Sequence, residues 1–214
     1  MEKSDTNLGE VLVNSMGEQV SQALSDTEKI ERIQYHFAEI MDILGLDLTD
    51  DSLKGTPKRV AKMYVKEIFS GLQEKNKPEL TLFENTYHYD RMLVEKDITV
   101  YSNCEHHFVP IIGRAHVAYF PHDHVIGLSK INRLVQYYAK RPQVQERLTV
   151  QIAQGLKEAL GHDDVAVVIE ADHLCVASRG IKDTNSKTVT ESFSGKFKLD
   201  TYRENFLAQI ANNK

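Results

Sequence analysis

Residues 104–107 read Cys-Glu-His-His, and the only other cysteine of the chain, Cys175, follows His173 by two positions in the run Ala-Asp-His-Leu-Cys. Thiolate and imidazole are the side chains that hold zinc. Cys104 and His107 are three apart, a separation that lets both reach one ion from a turn. His173 and Cys175 are two apart and would leave the same face of a strand. Together Cys104, His106, His107, His173 and Cys175 offer five donors. A structural zinc site closes with four ligands, whereas a catalytic one takes three from the protein and keeps a position open. The surplus histidines therefore point to acid–base work beside a metal. Spacing alone leaves the ligands ambiguous: extended backbone would pair Cys104 with His106, and a turn would pair it with His107. A Cys104–Cys175 disulfide is the other use of the two thiols. Two cysteines in 214 residues do not make the disulfide framework of a small secreted domain, so metal is the preferred reading. Taken singly, a cysteine is ordinarily a small buried hydrophobe; both cysteines having histidine neighbours is what favours metal.

The surroundings carry charge of the opposite sign to the whole. The chain has a formal net charge of -5, which makes nucleic acid an unexpected partner. Between Ser129 and Arg147, however, Lys130, Arg133, Lys140, Arg141 and Arg147 face Glu146 alone. Such a run is either a solvated helix face or a site for a small polyanion. Lys130 and Arg133 share a helix face behind Ser129, where free N–H groups of a first turn would add to the attraction. The polar start has no basic segment leading into an apolar run, and the longest apolar run, Val165 to Ile169, is far too short for a membrane span. A soluble cytoplasmic protein is expected.

These residues need elements to position them. Ser25 and Glu28 have the spacing of a capping box, ahead of an apolar stripe of Ile30, Ile33, Phe37, Ile40, Met41 and Leu44 that Gly45 stops. A second helix is expected with Thr56 as N-cap, Pro57 at its first position and Gly71 past its end. Met92 to Ser102 and Phe108 to Phe120 read as strands, with Cys-Glu-His-His at the strand end or turn between them. Two helices follow, one capped by Ser129 and one opened by Pro142. Val165 to Cys175 is the next strand, Thr188 to Phe197 another, and a helix from about Thr201 to Ala211 closes the chain. The order predicts an α+β fold: an antiparallel four-stranded sheet backed by helices, with an N-terminal helical arm. The expected divisions are a variable segment 1–24, the arm 25–90 and a catalytic domain 91–214.

Four stretches, Cys-Glu-His-His-Phe-Val-Pro, Val-Ile-Gly-Leu-Ser-Lys-Ile-Asn-Arg-Leu-Val, Arg-Pro-Gln-Val-Gln-Glu-Arg-Leu-Thr and Asp-His-Leu-Cys-Val-Ala-Ser-Arg-Gly with the later Asn-Ser-Lys-Thr-Val-Thr, resemble GTP cyclohydrolase I, in order over roughly residues 53 to 210. The resemblance implies the tunnelling fold (T-fold), a homodecamer of two pentamers and active sites at subunit boundaries. It implies Zn2+ on Cys104, His107 and Cys175, which leaves His106 and His173 as the acid–base pair. It implies GTP as substrate, hydrolysed at C8 to formate and 7,8-dihydroneopterin triphosphate, the entry to folate-type pterins. Glu146, supported by Gln145, would accept from the guanine N1–H and N2 amino group. Ser129, Lys130, Arg133, Arg179 and Arg59 would meet the triphosphate, Arg59 from a neighbouring subunit. The alternatives are a deazaguanine nitrile reductase on the same fold, with a nucleophilic cysteine and NADPH, and a zinc-stabilised purine-binding module without turnover.

Overall fold

The computed structural model describes residues 24–211, together with the backbone of a short antiparallel ladder, β1 (Leu12–Val13) with β2 (Gln19–Val20). Most of the segment 1–24, expected to vary, lies outside the described residues. Contacts group the chain into two compact units, Met1–Lys66 and Glu67–Lys214.

In the first unit, α1 (Asp26–Ile43) begins as its sequence requires. The Ser25 hydroxyl accepts from the Glu28 backbone N–H at 3.3 Å, and the Glu28 carboxylate accepts from the Ser25 backbone N–H at 2.8 Å. Leu44 caps the helix and Gly45, at φ 77°, turns the chain away. Of the expected stripe only Met41 is buried; Ile40 and Leu44 are exposed. The second helix, α2 (Thr56–Met63), starts one residue earlier than expected. Gly55 is its N-cap, without a side-chain cap, while the Thr56 hydroxyl accepts from the Arg59 guanidinium. A π-helical turn, Tyr64–Ile68, then carries the chain into the second unit.

The second unit is built on β4 (Leu93–Cys104), β5 (Pro110–Tyr119), β8 (Val165–His173) and β9 (Thr188–Phe193), paired antiparallel in that order. This is the expected four-stranded sheet. A fifth strand, β7 (Pro142–Gln143), joins its β4 edge in parallel, Asn103 opposite Pro142 and Cys104 opposite Gln143. Pro142 therefore extends an edge strand rather than opening a helix. A proline lacks only its N–H, and an edge position can leave that side unpaired. A separate small ladder, unanticipated in the sequence, pairs β3 (Leu82–Glu84) with β6 (His124–Ile126).

Period-two alternation divides the sheet residues between two layers. Val100, Ala115, Val117, Val167 and Ile169 meet Ile131 and Leu134 of α3 (Leu128–Ala139) and Leu148, Ile152 and Leu156 of α4 (Gln145–Leu160). Ala118, Ala166 and Val168 of the other face join Phe120, Phe197 and Phe206, the last from α6 (Asp200–Ala211). Gly127, not Ser129, is the N-cap of α3, and Ser129 lies within its first turn. Gly71 does not stop a helix. Its backbone N–H donates to the Lys140 carbonyl at 2.9 Å, and a Cβ there would run into the Tyr137 carbonyl oxygen. The glycine lets the chain touch the end of α3 backbone to backbone.

Candidate active site

Cys104 is the last residue of β4, and the chain turns at once. Phe108 takes φ 53°, its N–H donates to the Cys104 carbonyl at 2.8 Å, and the Cys104 N–H donates to the Val109 carbonyl at 2.9 Å. This tight loop between β4 and β5 holds His106 and His107 beside the cysteine: Cys104 Sγ is 3.6 Å from His106 Nδ1 and 3.8 Å from His107 Nδ1. The antiparallel register of β5 with β8 sets Ile111 opposite His173, bringing the second half of the site to the same sheet end. There β8 stops. Cys175 belongs not to the strand but to a short helix, α5 (Leu174–Ala177). The helical turn, rather than a shared strand face, directs its sulfur toward Cys104. Among the described residues Cys104, His107 and Cys175 bring one ligand atom each to within 4.8 Å of one another.

Both cysteines are free thiols. Cys104 is buried and Cys175 half-buried. Burial, and then the neighbouring Cys104 sulfur, push the Cys175 thiol above its ordinary range. Two sulfurs in such proximity repel if both ionise, and a divalent cation is what would favour the thiolate pair. The donor set, two soft sulfurs and an imidazole, fits zinc.

His173 is fixed from behind. Gln145, the first residue of α4 and 1% exposed, donates its amide N–H groups to the carbonyls of Ile169 and Thr188, each at 3.0 Å. Its amide oxygen is thereby oriented to accept, and His173 Nε2–H donates to it at 2.7 Å. In the neutral ring this leaves the lone pair on Nδ1. Burial pushes the His173 imidazole below its ordinary range, with Glu146 and Asp172 partly offsetting that. His106, by contrast, is exposed.

The charged residues nearby separate into engaged and available. Arg147 binds the Glu105 carboxylate, Gln143 Oε1 at 2.9 Å and the Pro142 carbonyl at 2.9 Å. The carboxylate of Glu146, its neighbour in the first turn of α4, makes no hydrogen bond or ion pair among the described residues. Exposed Arg133 and half-buried Lys130 lie on α3 with Ser129, and exposed Arg179 follows α5. Arg133 lines a cavity of about 310 Å³ with Tyr137 and Lys140. Arg59 belongs to the first unit, where its guanidinium donates to the Ser52 carbonyl at 2.7 Å and to Thr56 Oγ1 at 2.8 Å. Sequence reading did not anticipate Glu105 as the partner of Arg147, nor Gln145 as the support of His173. A glutamine opening the helix that packs on the strand of a candidate histidine was the only available signal.

An α+β fold whose sheet end gathers a Cys–His–Cys set beside two further histidines defines an enzyme with a candidate metal centre. Residues 33–211 match the family model of GTP cyclohydrolase I. A GTP cyclohydrolase 1 of Flavobacterium johnsoniae is 63% identical over 187 residues, covering 87% of this chain and 84% of that protein. One from Yersinia enterocolitica is 54% identical over 193 residues, 90% of this chain and 88% of the other. One from Aeromonas salmonicida is 56% identical over 179 residues, 84% and 82% respectively. The chain belongs to the GTP cyclohydrolase I family, and with it to the enzymes of the tunnelling fold.

Proposed function

We propose that the chain converts GTP to 7,8-dihydroneopterin triphosphate and formate with the help of Zn2+. The observation that carries this reading is the convergence of Cys104, His107 and Cys175 while His106 and His173 remain outside the cluster. Cys104, His107 and Cys175 would hold the ion. A bound Zn2+ with one open position supplies water of pKa near ~7.

The protein groups perform the rest. Hydrolysis at C8 builds charge on N7 of the purine, and His106, exposed beside Cys104, is the donor for that nitrogen. An imidazole, of ordinary pKa about 6.5, is suited to give and recover a proton near neutral pH. His173 enters with Nδ1 as its free acceptor. Held by Gln145 and kept neutral by burial, it serves as base in the second hydrolysis or in the opening and rearrangement of the ribose. Gln145 thus acts through His173, and what it offers the guanine is its backbone. The Glu146 carboxylate accepts from N1–H and the N2 amino group together. Adenine lacks that donor pair, and sites built around such an edge discriminate by roughly 10⁴–10⁵. Ser129, Lys130, Arg133 and Arg179 meet the triphosphate, with Arg59 supplied by a neighbouring subunit. The same reading makes the protein a homodecamer of two pentamers, active in the cytoplasm. The exposed Ile40, Ile43 and Leu44 at the end of α1, and the open edge of β9, support assembly.

Incubation with GTP tests the reading. Stoichiometric formate and pterin fluorescence are expected. Tight GTP binding without either product would leave only a binding module, and NADPH oxidation with a deazaguanine nitrile would instead make the chain a reductase.

A further inference from the structure

A second set of metal-ligating side chains converges in the Glu67–Lys214 unit, apart from the cysteines. His122 stands in the turn after β5, and His162 and Asp164 stand in the turn between α4 and β8. The β5–β8 pairing ends with Tyr119 opposite Val165, so the exit of one strand adjoins the entry of the other. One ligand atom from each of His122, His162 and Asp164 lies within 4.8 Å of the others. We propose that these three residues form a second site for a divalent transition-metal ion of the zinc class.

The carboxylate is already in place. Asp164 Oδ1 accepts from the Lys196 backbone N–H at 2.8 Å, and Oδ2 meets His122 Nε2 at 2.9 Å. A Cβ at Gly195 would collide with Oδ1, so that close approach depends on glycine.

His162 supplies the third donor. Its Nδ1 accepts from the Asp164 backbone N–H at 3.2 Å, which leaves the proton of the neutral ring on Nε2. Nε2 is buried and has no hydrogen-bond partner among the described residues. An orphaned buried donor costs about 1–3 kcal/mol. Its ring lies stacked on His122, 4.0 Å between centroids and 18° between planes. Ligation takes the Nδ1 lone pair from the Asp164 N–H to the ion as the ring turns about Cβ–Cγ, and Nε2 keeps the proton. Tetrahedral bonds of about 2.0–2.1 Å place donors some ~3.3 Å apart, so the two rings splay and the cluster closes by less than about 2 Å. Two imidazoles and a carboxylate leave one position to solvent. The ion would tie the β5–β6 turn to the α4–β8 turn. Lys196 Nζ, 3.8 Å from Asp164 Oδ2, is the cation it displaces.

Cobalt(II) titration of the intact, metal-stripped protein tests the site. Cobalt on Cys104 and Cys175 gives thiolate charge-transfer absorption; cobalt on the histidine pair gives only ligand-field bands. Two equivalents per chain are expected, one with the thiolate band and one without. His122→Ala and His162→Ala should each lose the second equivalent, with at least a tenfold weakening, while the thiolate band and GTP turnover persist. Lys196→Met should tighten the second equivalent several-fold. A single equivalent in the wild type, or a second that survives in both histidine variants and ignores Lys196→Met, overturns the proposal. Absence of the thiolate band alone would count against the Cys–His–Cys centre and not against this one.

Discussion

At the scale of single residues, the proposal separates the side chains that hold metal from those that move protons. Cys175→Ala should lose both bound metal and turnover. His106→Ala should keep its metal while turnover falls about 10²–10⁴-fold, the range of a removed acid–base group. Metal analysis alongside formate release distinguishes them, and equal metal loss in both would overturn the assignment. Gln145→Leu removes the acceptor of His173 and the amide donor that the Ile169 and Thr188 carbonyls accept from. It should destabilise by about 1–3 kcal/mol and lower kcat more than it raises KM. Retained kcat in a folded variant would mean that His173 needs no orientation. The five candidate donors were legible in the sequence because each half of the set is local, but spacing left His106 and His107 as alternatives and only the family resemblance chose between them. The Gln145–His173 bond was not, because it depends on how α4 packs on β8. His122 and His162 were still less visible: only the β5–β8 register brings them together.

At the scale of elements, β4 carries an irregularity with a pH consequence. Its pairing with β5 shifts between Glu95 and Ile98, and Asp97 sits at φ 60°, a conformation that aspartate tolerates better than most residues. The Asp97 backbone N–H donates to Nδ1 of buried His116 at 3.1 Å. Burial pushes the His116 imidazole below its ordinary range, against the opposing pull of Asp97 and Glu170. Its folded pKa is thus lower than its unfolded one, about 6.5. The unfolded chain binds the extra proton first, so His116 contributes full stability above that pH and loses it as the pH falls toward its folded pKa. His116→Gln, whose amide oxygen can accept the same bond, should flatten the acid limb of a plot of denaturation midpoint against pH. An unchanged limb would place the sensitivity elsewhere. Gly71→Ala should destabilise by about 1–3 kcal/mol, because the new methyl group meets the backbone of α3. The long strands and the capping box of α1 were readable from alternation and spacing. The β3–β6 ladder and β7 were not, since two- or three-residue strands hold no period, and Pro142 looks the same at a helix start and at a sheet edge.

At the scale of the molecule, α1 buries only Met41 of its stripe and exposes Ile40, Ile43 and Leu44. An apolar helix end of this kind is expected to be covered in an assembly. Ile40→Asp with Leu44→Asp should shift the protein from the proposed decamer to smaller species by light scattering; an unchanged mass would remove α1 from the interface. No described helix is long and apolar enough to cross a membrane. Family membership and fold are shared with relatives that are 54–63% identical, and the central proposal is that Cys104, His107 and Cys175 hold an ion on which GTP chemistry depends. Stripping the metal and following formate release from GTP tests it most directly. Turnover should vanish with the metal and return on addition of about one equivalent of zinc per chain at the cysteine site. Undiminished formate release from metal-free protein would contradict the account.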